Sequence, residues 1–160
     1  MGAQFLRGET AMRLRQHVRV TDLDATKRHY TDVLGMQTTA DLEDRLYLKT
    51  WDEWDHHSVV LRQSDSPGLV KMGFKVETLD DLADLEGRVE QYGLHVTRHR
   101  RGEELALGDS FTFEAPSGHI VELYTEMERV GKALSEINPD PWPDDVKGIG
   151  VPRLDHLLVT

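Results

Sequence analysis

Cysteine is absent from the 160 residues, which excludes disulfide frameworks, thiolate zinc sites, Fe–S clusters and Cys nucleophiles. Any metal must therefore be held by His and carboxylates. Positive charge is also short. The 19 Lys and Arg face 29 Asp and Glu, for a formal net charge of −10. Neutralising phosphates needs a basic face, so neither nucleic acid nor an anionic membrane is expected as a main partner. No apolar run approaches the roughly 18 residues that span a bilayer. The opening Met1-Gly2-Ala3-Gln4-Phe5-Leu6 lacks the charged and apolar regions of a secretory leader. Leu6 also stands where myristoylation wants Ser or Thr. A soluble cytoplasmic protein is the expectation.

What is present is periodic. Residues 1–14 show no clear period and read as an N-terminal extension. Residues 16–20 then alternate like a strand. Asp22 is placed to cap a helix carrying Leu23, Lys27, Tyr30 and Leu34 on one face and stopping at Gly35. Strand-like runs follow at 45–50 and 58–62, then the turn residues Ser64-Asp65-Ser66-Pro67-Gly68. The pattern restarts with Met72, Phe74 and Val76 alternating. Thr78 with Asp81 forms a capping-box signature, and Leu82, Leu85, Val89 and Tyr92 make a helical face closed by Gly93. Runs at 94–99, 110–115 and 119–124 read as strands, the last two joined by the turn Ala115-Pro116-Ser117-Gly118. Residues 126–134 are expected to form a short helix.

This is an internal repeat. His17 and Gly73 open equivalent strands 56 residues apart, and the stop glycines Gly35 and Gly93 lie 58 apart. A unit of about 50 residues cannot cover its own sheet, so two units sharing a core are expected. The predicted fold is α+β, with two tandem βαβββ modules at 15–66 and 70–125 inside a domain spanning 15–135. Residues 136–152 hold a proline-rich linker, with Pro139, Pro141, Pro143 and Pro152 around Trp142. Beyond it, His156-Leu-Leu-Val-Thr matches His17-Val-Arg-Val-Thr21, so 153–160 reads as the first strand of a third module. On that pattern the chain is expected to be a fragment of a longer polypeptide.

The text of these units resembles the N-terminal half of the extradiol ring-cleavage dioxygenase family, in its catechol-cleaving branch. The residues that carry the resemblance are Leu46-Tyr47-Leu48-Lys49, Val60-Leu61-Arg62, Met72-Gly73-Phe74-Lys75-Val76 and Ala115-Pro116-Ser117-Gly118-His119 with Glu122-Leu123-Tyr124. Asn138-Pro139, Trp142-Pro143, Lys147-Gly148 and Arg153-Leu154-Asp155-His156 extend it over about 15–160. The resemblance implies a vicinal oxygen chelate fold of four βαβββ modules per subunit. It implies Fe(II) held in the C-terminal domain by two His and one Glu, with His156 matching the first ligand and the other two beyond Thr160. The implied reaction joins catechol, or a substituted catechol, with O₂ to give 2-hydroxymuconate semialdehyde, in a homo-oligomer that is usually a tetramer. A standalone two-module, glyoxalase-like dimer binding a small molecule or metal is the alternative.

Within the chain, the positions equivalent to the ligands are His17, Gly73 and Glu122. Glycine has no side chain to coordinate, so this set is read as a vestigial metal site without catalytic residues. The family's signature around its carboxylate ligand is also incomplete, with Thr112 in the place of a Tyr and 103–105 in the window of a His. His56-His57 is read as two strand-edge histidines facing opposite ways. Glu43-Asp44 and Asp52-Glu53-Asp55 are read as solvated turn charge. His95, Arg98, His99, Arg100 and Arg101 are read as an exposed basic edge.

Overall fold

The computed structural model describes residues 14–131, 145–154 and 158. The first half runs β1 Leu14–Val20, α1 Leu23–Arg28 with a π-helical turn His29–Val33, β2 Gln37–Asp41, β3 Arg45–Lys49 and β4 Val59–Gln63. The second runs β5 Gly68–Lys75, α2 Leu79–Gln91, β6 Val96–His99, β7 Ser110–Glu114 and β8 Ile120–Tyr124. Each half is a βαβββ module, as the repeat predicts. Among the described residues one eight-stranded sheet takes all the strands, in the order β2-β3-β4-β1-β5-β8-β7-β6. β1 pairs parallel with β4, β5 parallel with β8, and β1 antiparallel with β5 at the seam. The order reads the same from either edge, so the modules are related by an approximate two-fold axis through that seam.

Local chemistry sets the helix ends. Asp22 accepts a hydrogen bond from the Ala25 amide at 2.8 Å, and Thr78 and Asp81 form the expected capping box. β3 and β4 send alternate residues to opposite faces, and both faces are covered. Leu46, Leu48, Val59 and Leu61 pack with Met36 beneath Leu23, Tyr30 and Leu34. Tyr47 and Val60 point the other way and are buried too. Leu107, Tyr124 and Met127 form a smaller cluster in the second module.

Three features differ from expectation. β2, which has no clean alternation, forms by pairing with β3. The helix stops its α geometry at Arg28, and Leu34 N donates instead to His29 O at 3.1 Å. In place of a helix after 125, residues 126–131 run extended between two loops. His56 N donates to Glu128 O, Glu128 N to Ala106 O and Gly108 N to Glu126 O, all at 2.8–2.9 Å. Those tertiary bonds satisfy the backbone groups that a helix would have satisfied internally. Residues 132–134 of that expected helix lie outside the described residues. Among the described residues no helix is long and apolar enough to cross a membrane.

Residues 145–154 return across the first module. Ile149 N donates to Val33 O at 2.8 Å and Val151 N to Leu34 O at 3.0 Å, so the carbonyls at the end of the π turn receive this strap. Trp51 Nε1 donates to Gly150 O at 3.0 Å, Arg153 pairs with Asp52, and Leu154 joins the first core.

Candidate functional site

The sheet's period of two sends Arg15 and His17 of β1 and Lys71 and Gly73 of β5 to one face. Register sets Arg15 opposite Gly73 and His17 opposite Lys71. Under the two-fold relation His17 corresponds to Gly73 and Arg15 to Lys71, each pair 56 residues apart. Glu122 of β8 sits beside Gly73, and Val60 of β4 beside His17.

A closed ring of four charges occupies this face. Arg15 Nη2 donates to Glu104 Oε2 at 2.7 Å. The same nitrogen lies 2.8 Å from Glu122 Oε2, an ionic contact off the hydrogen-bonding line. Lys71 Nζ donates to Glu122 Oε1 at 2.9 Å and also to Glu104 Oε1. Each carboxylate thus gives one oxygen to each cation. Arg15 is 1% exposed and Glu122 fully buried, while Glu104 reaches in from the β6–β7 loop and closes the ring. Two positive and two negative groups balance, which is the condition for burying them together. Burial works against the Arg15 charge, but Glu122 and Glu104 outweigh it and raise its pKa. Burial pushes Glu104 up, yet Arg15 and Lys71 together pull it down to about 2.

Three histidines border the ring. A guanidinium can only donate, so the 3.3 Å contact from Arg15 Nη1 requires an unprotonated His57 Nε2. His57 Nδ1–H then donates to His56 Nδ1 at 3.0 Å, and His56 carries its proton on Nε2. Both rings are neutral. Burial, Arg15 and His56 hold His57 well below its ordinary value, and burial lowers His56 as well. Tyr47 packs edge-on against His57 with centroids 4.8 Å apart. His17 is lowered to about 4 by burial and then by Lys71 and Arg15, and its buried Nε2 has no hydrogen-bond partner.

This face does not fit a metal ion. Gly73 supplies no donor, and a Cβ there would meet Arg15 Cβ and Glu122 Oε2, each at 3.3 Å. Glycine is what lets the Arg15 stem pass close to Glu122. Both oxygens of Glu122 are already taken by cations, and among the described residues no three His, Asp or Glu converge on one point.

A pair of βαβββ modules joined across one sheet is the vicinal oxygen chelate architecture. Residues 71–128 match the family model of the catechol 2,3-dioxygenase-like N-terminal domain. The chain is 42% identical over 144 residues to a metapyrocatechase of Pseudomonas sp. (strain CF600), covering 89% of this chain and 47% of that protein. It is 23% identical over 142 residues to a manganese-dependent 2,3-dihydroxybiphenyl 1,2-dioxygenase of Geobacillus genomosp. 3, covering 86% and 44%. Among solved structures it is similar to the 2,3-dioxygenase LapB of Pseudomonas sp. KL28, with a TM-score of 0.83 and 40% identity over 90% of this chain and 51% of that one. Homoprotocatechuate 2,3-dioxygenase of Brevibacterium fuscum superposes with a TM-score of 0.70 at 28% identity, over 76% and 40%. The chain is similar to extradiol dioxygenases and spans about half the length of the curated relatives it matches.

Several sequence expectations change. His56 and His57 lie in the loop before β4, not on a strand, and their rings meet. The Asp52–Asp55 carboxylates are not solvated turn charge. Glu53 Oε2 accepts from Thr50 N at 2.8 Å and Ser58 Oγ at 2.6 Å, and buried Asp55 pairs with Lys75 at 3.1 Å. These groups satisfy a loop that other segments cover. Glu43 and Asp44 are exposed as expected, and so is the β6 edge, where Arg98 pairs with Glu90 of α2 at 3.3 Å. Thr112 stands beside Glu122 and contacts His99 Nε2 at 3.1 Å. His156 and Trp142 lie outside the described residues. The residues that sequence reading missed are Arg15, Lys71 and Glu104. The available signal was that Arg15 and Lys71 sit two residues before His17 and Gly73, hence on the same inward face.

Proposed function

We propose that this chain serves as the N-terminal, scaffold half of an Fe(II)-dependent extradiol dioxygenase that cleaves catechol, or a substituted catechol, with O₂ to 2-hydroxymuconate semialdehyde. The observation that carries this is the match to relatives of this class, confined to about half their length, with a TM-score of 0.83. On this reading 15–135 is the two-module domain, 136–152 the linker, and 153–160 the opening strand of a catalytic domain in a cytoplasmic homo-oligomer, a tetramer by family. Residues 1–14 are an extension. His156 is the first iron ligand, and His17, Gly73 and Glu122 are remnants of an equivalent site.

When bound, Fe(II) supplies coordination positions for the two catechol oxygens and for O₂. The described residues hold no step of that chemistry. Their part is to hold the strap, through Val33, Leu34, Trp51 and Asp52, where the chain leaves toward His156. A manganese-dependent relative makes the metal the first thing to measure. The test assays two polypeptides with catechol, O₂ and either Fe(II) or Mn(II). One is the 160-residue chain, and the other is the product of the uninterrupted reading frame. The short chain is expected to give no yellow ring-cleavage product, and the longer one to give it with Fe(II). Cleavage by the 160-residue chain, or none by either, overturns the reading.

A further inference from the structure

We propose that His56 and His57 form an acid-operated latch on the loop before β4, in which His56 exchanges His57 for Thr39 as its partner when it takes up a proton. The proposal does not depend on the catalytic reading above.

The closed form is defined by which nitrogens donate. Arg15 Nη1 donates to His57 Nε2 at 3.3 Å, and His57 Nδ1 donates to His56 Nδ1 at 3.0 Å, so both accepting nitrogens must be bare. A proton on His56 Nδ1 sets two N–H groups against each other. One on His57 Nε2 sets an N–H against a guanidinium. The chain of bonds therefore closes only while both rings are neutral. From the other side the pair is held by its backbone, with Glu128 O accepting from His56 N at 2.8 Å and Met127 Sδ from His57 N at 3.5 Å.

The open form has its partner already in place. Thr39 Oγ1 lies 3.4 Å from His56 Nδ1 and donates its own hydrogen to Tyr47 O at 3.2 Å. With that hydrogen engaged, Thr39 presents a lone pair that a protonated Nδ1 can use and a bare one cannot. One added proton thus turns His56 Nδ1 from an acceptor of His57 into a donor to Thr39. The His57 N–H is then buried without an acceptor, which drives the loop away from Arg15.

The groups around the pair decide where the proton goes. His57 faces Arg15 and His17 of β1, Tyr47 of β3 and Lys71 of β5, and the cations among them disfavour a charge on its ring. His56 faces Thr39 of β2, Tyr47 of β3 and Glu128, whose carboxylate favours a charge there. Neighbouring Asp55 is engaged by Lys75. His56 is therefore the ring that charges first, and burial sets that step below its ordinary 6.5. The closed form binds fewer protons than the open one, so the latch holds at high pH and releases as the pH falls. His17, lowered to about 4, charges later. Asp55–Lys75 and the Glu128 carbonyl keep the loop on the second module, so the sheet stays folded as the latch opens. Trp51 and Asp52, a few residues before the pair, hold the strap, so the latch lies between the ring and the strap.

The experiment follows the imidazole nitrogens of the ¹⁵N-labelled 160-residue chain by NMR as the pH is lowered from about 7.5 to about 4.5. At the upper end His56 is expected to carry its hydrogen on Nε2 and His57 on Nδ1. As His56 charges, exchange of the His57 Nδ1 hydrogen with water is expected to speed up at least about tenfold, with an unchanged far-ultraviolet circular dichroism spectrum. His56→Asn keeps an acceptor near the Nδ1 position but cannot take the proton, and the step is expected to vanish. Thr39→Val removes the open-state acceptor and is expected to move the step down by about half a pH unit or more. The same tautomer on both rings, a step that survives His56→Asn, or one that Thr39→Val leaves in place would each overturn the proposal. The tautomers are read on the parent chain, so they decide the matter even where a variant does not fold.

Discussion

The cost of the ring falls on single residues. Glu122→Gln keeps the shape but removes one of two negative charges, leaving Arg15 and Lys71 with only Glu104 to balance them. Breaking a buried pair in this way costs about 3–5 kcal/mol, and equilibrium unfolding in urea is expected to show a loss of that order. His17 makes a separate prediction in pH. Its folded pKa is lowered to about 4, from 6.5 in the unfolded chain. Between those values the unfolded chain binds more protons, so stability is full above pH 6.5 and falls as the pH drops toward 4. The difference is worth roughly 3 kcal/mol. His17→Leu also removes an unpartnered buried nitrogen and is expected to flatten the urea midpoint over that window. His56 and His57 shift in the same direction, so the flattening is partial. An equal slope in the variant would refute the assignment. Glu104 acts lower down, since its contribution persists above its ordinary 4.5 and is lost as the pH falls toward 2.

At the scale of the element, what was legible in the sequence followed strong local chemistry. The Thr78–Asp81 capping box, the Asp22 cap and the stop glycines Gly35 and Gly93 all lie within a turn of the element they bound, and each appears as read. What was not legible depended on distant partners. β2 exists because β3 offers it an edge, and 126–131 stays extended because two loops take its backbone bonds. His56 and His57 read as strand-edge residues because a strand-like run follows them directly, yet they lie in the loop before β4. For the site, His17, Gly73 and Glu122 stand on the neighbouring strands β1, β5 and β8, where sequence periodicity is readable, but the loop residue Glu104 has no periodic signal. The strap shows the same dependence on distant contacts and is testable. Gly148 has φ +56, and a Cβ there would fall 2.0 Å from Val33 O. Gly148→Ala is therefore expected to detach 145–154 from the π turn without unfolding the sheet. Faster tryptic cleavage after Lys147 and Arg153, with an unchanged circular dichroism spectrum, would show it, and unchanged cleavage would count against the strap.

For the whole molecule the question is whether two repeated modules amount to two folding units. Three connections argue against it. The β1–β5 ladder runs through the centre of the sheet, so either module alone would expose a long central strand. The ring draws Arg15 from the first module and Lys71, Glu104 and Glu122 from the second, so separation would strand charges on both sides. The loop at 55–56 is held by the second module, through Lys75 on Asp55 and Glu128 O on the His56 amide. Cooperative unfolding of the whole sheet should follow, and the distribution of probes makes this easy to see. Trp51 and Trp54 lie in the first module, whereas the 13-residue α2 lies in the second. In a Trp142→Phe background, tryptophan fluorescence reports the first half and the helical circular dichroism signal weights the second. The two urea curves are expected to coincide in midpoint and slope. A helix signal that persists after the tryptophans are exposed, or the reverse, would mean that the seam does not couple the modules. Glu122→Gln gives the finer test. If the ring is part of that coupling, weakening it should move both curves together and leave them superimposed.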